Sequence, residues 1–172
     1  MDALYGLKHR RSVRTYRKEQ IQDDQLDAIL EAGTYAPTGM GRQSPTIVVV
    51  QEPELIARLS RMNAAVMGMN GDPFYGAPTV VIVFGNPNAS MTWFEDGCLV
   101  MGNLMNAAFA VGVDSCWIHR AKQMFETEEG IALMREWGVP DGCVGIGNCI
   151  LGYAASPLPD PRPRKADYII RV

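Results

Sequence analysis

The sequence has no long hydrophobic run. The longest mainly apolar stretch in the 172 residues is 98–113, and Asn103 and Asn106 interrupt it. A membrane-spanning helix needs about 18 or more consecutive apolar residues, so a transmembrane segment is excluded. The N-terminal stretch is rich in Lys and Arg and has no apolar run of the kind that a secretory signal peptide requires. We therefore expect a soluble protein of the cytoplasm.

Cysteine and histidine are few and irregularly spaced. The four cysteines form no C-x-x-C pair, and the two histidines, His9 and His119, lie far apart in the sequence. Structural zinc sites need Cys and His at paired short spacings, so we expect no metal site. A chain of this length buries enough apolar surface to fold without disulfides. The cysteines are therefore predicted to be reduced thiols, most of them buried.

Several catalytic signatures are also missing, among them a Walker loop and a G-x-S-x-G sequence. Gly145 and Gly147 begin like a dinucleotide-binding fingerprint, but Ile150 stands where the third glycine is needed. These glycines more simply predict a strand that neighbouring groups approach closely. Cys116 and His119 leave open a thiol nucleophile with its base, although no acidic or amide residue that would orient the base is identifiable.

Hydrophobic periodicity divides the chain into alternating helices and strands. The predicted strands are 46–51, 79–84, 113–118, 144–153 and a short terminal run at 168–172. The predicted helices are 2–10, a segment from Asp23 or Asp24 to 36, 53–67, 93–111 and 126–137. No repeat or change in composition marks a boundary, so we expect one domain over residues 1–172. Its class is α/β or α+β, with helices on both faces of one sheet.

The helix predicted at 93–111 is apolar on nearly every side. A helix without a polar face lies either in a core or between subunits. We therefore expect this helix to be central to the fold or to an interface.

Positive charge is concentrated at the two ends of the chain. Residues 1–18 and 162–172 together carry a net charge of +8, whereas residues 19–161 carry −11. The ends are either two solvated charged segments or, if they meet in the fold, the parts of one anion site. The acidic remainder would repel a long polyanion, so nucleic acid is a poor candidate.

Near the start, the sequence Arg10-Arg11-Ser12-Val13-Arg14 groups guanidinium forks with a hydroxyl. All of these groups donate hydrogen bonds, and charge-assisted donors suit a phosphate dianion. Basic runs of this length are also common on protein surfaces, so the motif gains weight only from the segments that follow it.

Five segments in order resemble the nitroreductase family of FMN-dependent oxidoreductases. They are the Arg10–Arg14 motif with Tyr16, Ala-Pro-Thr-Gly-Met-Gly-Arg-Gln-Ser-Pro at 36–45, Ser-Cys-Trp-Ile-His at 115–119, Leu-Gly-Tyr at 151–153 and Arg-Pro-Arg at 162–164. The resemblance spans nearly the whole chain. It implies an α+β fold of three layers, helix/sheet/helix, with a central sheet that is mixed and mainly antiparallel.

The resemblance also implies where FMN is held. The groups implied for the phosphate and ribityl chain are Arg10, Arg11, Ser12 and Arg14, with Arg162 and Arg164 as a second arm and Lys165 as a substitute. The groups implied for the flavin ring are Trp117, Ile118 and His119, with Asn70 added by a looser match. A loop that contains Pro37, Thr38, Gly39 and Gly41 is implied to reach the flavin that is bound mainly by the partner subunit. No side chain is assigned as catalytic, because the flavin carries the chemistry.

The chain departs from the family pattern in this loop. Thr38 stands where the family commonly has Ser, and Gly41 stands where it commonly has Asn. Thr keeps the hydroxyl group, but Gly removes a side-chain hydrogen bond. The polar edge of the ring is therefore expected to depend more on backbone groups.

The function implied by the resemblance is transfer of reducing equivalents from NADH or NADPH through FMN to nitroaromatic, quinone or related acceptors by a ping-pong mechanism. The implied assembly is a homodimer with FMN sites at the subunit interface. Two alternatives stay open: a flavin-binding storage or sensing protein without substantial turnover, and a small module that binds a phosphorylated ligand without flavin.

Overall fold

The computed structural model describes residues 2–158 and 160–172 and centres on a four-stranded sheet. Its strands are β1 (Thr46–Val50), β2 (Thr79–Gly85), β3 (Asp114–Ile118) and β4 (Val144–Gly152), in the order β1-β2-β4-β3. The pairings between these strands are antiparallel. A parallel bridge between Ser12 and Ser115 adds the N-terminal segment to the outer edge of β3. The sheet is therefore mixed and mainly antiparallel, which confirms the expectation.

Strand β2 is buried along its whole length. Ile82 and Phe84 belong to one apolar core, and Val81 and Val83 belong to a second core. Successive side chains of a strand point to opposite faces of the sheet, so the two cores lie on opposite faces. A strand buried on both faces needs a layer of helices on each.

Helices supply both layers. Those on the Val81 face are α2 (Asp23–Thr34) and α4 (Trp93–Ala110), with α1 (Ala3–His9) packed beside α4. Those on the Ile82 face are α3 (Pro53–Met67), α5 (Ala121–Phe125) and α6 (Glu128–Glu136). The fold is therefore α+β with three layers, as expected. Within the described ranges, no helix is both long and apolar enough to cross a membrane.

Two of the predicted elements need correction. The helix predicted at 126–137 corresponds to α6. It begins after Thr127, whose side chain caps the helix by accepting a hydrogen bond from the Gly130 amide. The short helix α5 that precedes it was not predicted from the sequence. The strand predicted at 168–172 is wrong. Residues Ala166–Tyr168 form a short 3-10 helix instead, and Ile169 and Ile170 are exposed. A β-branched run forms a strand only where a sheet edge pairs with it, which a local pattern does not report.

The close approach predicted for the glycines of β4 is confirmed. A Cβ atom on Gly145 would lie 2.5 Å from the carbonyl carbon of Ala121, and one on Gly147 would lie 2.6 Å from Nε1 of Trp117. Both distances are too short for any larger residue without movement of the neighbour. The glycines therefore let α5 and the Trp117 ring lie directly against the sheet.

One buried carboxylate ties the start of α4 to the loop that precedes β1. Asp96 is only 2% exposed. Its oxygens accept hydrogen bonds from the Gly39 amide at 2.9 Å, the Ser90 and Thr92 hydroxyls at 3.0 Å each and the Ser44 hydroxyl at 3.2 Å. Burial alone would raise the pKa of Asp96, but these hydrogen bonds outweigh burial and hold the pKa below its usual value.

Replacing Asp96 with Asn should lower the free energy of unfolding by roughly 2 kcal/mol at neutral pH, the scale of one charged hydrogen bond lost. The pKa of Asp96 is lower in the folded than in the unfolded protein. Its stabilising contribution is therefore complete above about pH 4 and is lost as the pH falls through the folded-state pKa. Urea denaturation of both proteins should show the difference shrinking as the pH falls from about 4 to about 3. A difference that stays constant over this range would contradict the prediction.

Candidate functional site

The basic N-terminal motif lies along the outer edge of β3. The Val13 amide donates to the Ser115 carbonyl at 3.0 Å, and Ser12 forms the parallel bridge with Ser115. The Val13 side chain is buried in the core, whereas Ser12 and Arg14 are exposed. The extended backbone thus anchors the motif by its apolar residue and turns the hydroxyl and a guanidinium outward.

Two guanidinium nitrogens of this motif are buried without a partner. Arg11 donates from Nη1 to the Lys8 and Arg10 carbonyls at 2.9 and 2.7 Å. Its Nε and the Nη1 of Arg10 meet no acceptor among the described residues, and neither does the buried Oγ of Ser115. A buried donor without an acceptor costs about 1–3 kcal/mol, and more when it is charged. The arrangement is therefore suited to an anionic ligand that supplies the missing acceptors.

The thiol of Cys116 lies on the core side of β3. Burial raises the pKa of this thiol, and the nearby Arg14, Ser12 and Arg10 offset the rise only in part. Its Sγ lies 3.7 Å from the Trp117 carbonyl oxygen, whereas the His119 side chain is exposed. A buried, protonated thiol is a poor nucleophile, so the geometry does not support a Cys116–His119 pair.

The backbone at the end of β3 is held by two buried amides that the sequence analysis missed. Asn63 of α3 donates to the His119 carbonyl at 2.7 Å, and Asn148 of β4 donates to the Ile118 carbonyl at 3.3 Å. Both asparagines are fully buried. The sequence offered one signal for them: Asn63 is a polar residue on the apolar side of a helix, and Asn148 is a polar residue within an apolar strand. These hydrogen bonds fix the backbone position of the Trp117–His119 segment.

The predicted ring-contacting loop lies at the start of α4. Met40, Gly41 and Gln43 have positive φ angles of 54°, 66° and 48°, and Met40 is 89% exposed. Thr38 accepts a hydrogen bond from the Gln43 amide at 3.0 Å through its hydroxyl. Clustered left-handed residues persist only where surrounding contacts impose them, and here Asp96 provides those contacts. No hydrogen bond among the described residues joins this loop to the Arg10–Arg14 motif.

The remaining predicted residues are exposed. Asn70 follows α3, and Arg162 and Arg164 lie in the C-terminal segment, where Arg164 donates to the Arg162 carbonyl. That segment starts beside the basic motif, because the Ala155 amide donates to the Thr15 carbonyl at 3.0 Å. The two basic ends of the chain therefore begin from neighbouring positions, but their arginines are not joined by hydrogen bonds among the described residues.

Comparison with known proteins gives a consistent result. Residues 7–70 match the model of the nitroreductase family. A nitroreductase with bound FMN from Bacteroides fragilis is 32% identical, with a TM-score of 0.88 over 100% of this chain and 99% of the other. A second nitroreductase with bound FMN, from Desulfitobacterium hafniense, is 26% identical, with a TM-score of 0.89 over 100% and 99%.

A relative found by sequence comparison agrees with these structural similarities. A protein of Archaeoglobus fulgidus named as an NADH dehydrogenase/NAD(P)H nitroreductase is 28% identical over 157 residues, which cover 88% of this chain and 85% of the relative. Together with the shared three-layer fold and the sequence identity along its full length, these similarities show that the chain belongs to the nitroreductase family.

Proposed function

We propose that the protein is an FMN-dependent oxidoreductase that passes reducing equivalents from NADH or NADPH to nitroaromatic, quinone or related acceptors. The observation that carries the proposal is the pair of buried guanidinium nitrogens beside β3, on Arg10 and Arg11, that have no acceptor among the described residues. The FMN named in the two related structures supports the identity of the missing anion. The names of the curated relatives support NAD(P)H as the electron donor.

The residues present fit a terminal phosphate better than a pyrophosphate. Guanidinium groups bind a dianion through forked, charge-assisted hydrogen bonds. We assign the phosphate and ribityl contacts to Arg10, Arg11, Ser12 and Arg14. We assign the second arm to Arg162 and Arg164, whose segment leaves the fold next to Thr15. In the part of the chain after β4 that the structure describes, there is no Gly-rich helix start of the kind that holds a pyrophosphate, so FMN is favoured over FAD.

We assign the contacts with the flavin ring to the end of β3 and to the exposed loop at the start of α4. Trp117, Ile118 and His119 provide one side, with Asn70 at its edge. When bound there, FMN would supply two-electron transfer between NAD(P)H and an acceptor that replaces the donor, which corresponds to a ping-pong cycle. The protein's part is to bind, orient and shield the ring.

The loop Pro37, Thr38, Gly39 and Gly41 is assigned to the flavin of a partner subunit, and the protein is therefore proposed to be a homodimer. Within its own chain the loop has no hydrogen bond to the Arg10–Arg14 motif among the described residues. The α1 and α4 surfaces also leave several large apolar side chains exposed, namely Leu4, Leu7 and Leu99. A two-fold dimer would cover such a patch and complete both sites at once.

The purified protein should be yellow, should release FMN on acid treatment, and should bleach when NADH or NADPH is added without oxygen. Chromatography against FMN and FAD standards identifies the flavin, and absorbance at the flavin band follows its reduction. A colourless protein that binds no added FMN would contradict the proposal. A flavin that neither nicotinamide reduces would favour a storage or sensing protein.

Replacing Arg14 with Ala should weaken FMN binding by roughly 1.5–3 kcal/mol, the scale of one charged hydrogen bond. The fold should persist, because the Arg14 side chain is exposed. Titration of the flavin-free protein with FMN measures the loss, and Arg135→Ala on the exposed side of α6 is the control. Unchanged affinity in the Arg14 variant would make Arg14 a surface charge only.

The flavin-loaded protein should be a dimer in solution with two equivalent sites. Light scattering gives the mass, and FMN absorbance gives the number of flavins per chain. Because each site needs groups from both chains, dilution that separates the dimer should also release FMN. A monodisperse monomer that keeps its FMN would overturn the assignment of the Pro37–Gly41 loop.

A further inference from the structure

A cleft of about 510 Å³ lies where the start of α4 meets the end of β3 and the start of α5. The rings of Trp93 and Phe94 stand edge to face in its wall with centroids 5.7 Å apart, and the Trp117 ring lies 5.8 Å from that of His119. Clefts with several aromatic side chains suit planar aromatic ligands. Trp117 and His119 also belong to the proposed flavin site, so the cleft adjoins that site.

The cleft is positively charged within an acidic part of the chain. Its lining residues include Arg120 and Lys122 and contain no Asp or Glu, although residues 19–161 carry a net charge of −11. Lys122 lies 3.9 Å from Glu126, at the limit of an ion pair. The Arg120 side chain has no hydrogen bond or ion pair with any described residue. Positive charge in a cleft of an acidic body attracts small anions selectively.

The backbone holds Arg120 at the rim of this cleft. Its φ angle is 76°, a left-handed conformation that residues other than glycine rarely adopt. The preceding carbonyl, that of His119, is held by the buried Asn63 amide at 2.7 Å, and the Arg120 carbonyl accepts from the Met124 amide at 2.9 Å. Strained conformations of this kind persist where surrounding contacts impose them and often occur at ligand sites.

We propose that this cleft binds the electron acceptor and selects planar aromatic compounds that carry a negative charge, such as aromatic carboxylates. The aromatic ring would contact Trp93 and Phe94, and the carboxylate would face Arg120 and Lys122. The inference rests on the proposed function, because the bound compound is the molecule to be reduced. Beyond the proposed function, it specifies that the preferred acceptor carries a negative charge.

Binding can be measured without turnover, with benzoate and benzyl alcohol as non-reducible probes of similar size that differ in charge. Calorimetric titration of the flavin-loaded protein should show tighter binding of benzoate than of benzyl alcohol. The Arg120→Gln and Lys122→Gln variants should each weaken benzoate binding about fivefold, the upper end for a partly exposed ion pair. Raising the ionic strength should have a similar effect, because salt screens exposed charges.

Arg61→Gln is the matched control. Arg61 lies with Lys18 and Asp72 at a separate, larger cavity of about 700 Å³, and its replacement removes the same charge from the protein. Benzoate binding should be unchanged in this variant. If Arg61→Gln weakens benzoate binding and Arg120→Gln does not, the anion site is the other cavity and the proposal is overturned.

Turnover provides the second readout, with para-nitrobenzoate and para-nitrobenzyl alcohol as acceptors. The ratio of their kcat/KM values should fall about fivefold in the Arg120→Gln variant, with the KM for NADH unchanged. An equal loss for both acceptors, a parallel rise in the KM for NADH, or loss of FMN would overturn the proposal. If the flavin-loaded protein reduces neither acceptor, the proposed function fails, and the benzoate titration still decides whether the cleft binds aromatic anions.

Discussion

The burial of β2 on both faces is the constraint on which the rest of the structure depends. All seven of its residues are removed from solvent, and the side chains of residues 80–84 alternate between two apolar cores. Neither core can form unless helices cover that face, so α2 and α4 must pack on one side and α3, α5 and α6 on the other. The long apolar helix α4 is therefore in part a consequence of a sheet that has no solvated face.

The candidate site lies where this double burial ends. Strand β3 is at the edge of the sheet, and the N-terminal segment extends that edge through Ser12 and Val13. Because an extended segment alternates its side chains, Val13 anchors the segment in the core while Ser12 and Arg14 remain available to a ligand. In the same segment, polar atoms of Arg10 and Arg11 are buried without an acceptor among the described residues, a cost that the acceptors of an anionic ligand would offset.

Buried polar groups hold the functional backbone in place on both sides of the sheet. Asp96 accepts four hydrogen bonds, two of them from Gly39 and Ser44 of the strained loop before β1. Asn63 and Asn148 hold the carbonyls at the end of β3. None of these three residues is assigned to a ligand. Each of these buried side chains fixes backbone groups through hydrogen bonds, although Oδ1 of Asn63 and Oδ1 of Asn148 have no partner among the described residues. Such buried contacts restrict the local backbone to one conformation.

The sequence by itself determined the four strands of the sheet, most of the helices, and the family to which the motifs belong. These features are local, because periodicity, β-branched runs and the order of short motifs are read from neighbouring residues. It also indicated the close approach at Gly145 and Gly147. It misjudged residues 168–172, where a strand-like run pairs with no strand among the described residues. Only the tertiary structure decided that Asp96 serves the Gly39 loop, that Asn63 reaches His119, and that Arg120 and Lys122 meet Trp93 and Phe94 in one cleft. Those contacts join residues far apart in the chain, and their geometry depends on how the helices pack against the two faces of the sheet.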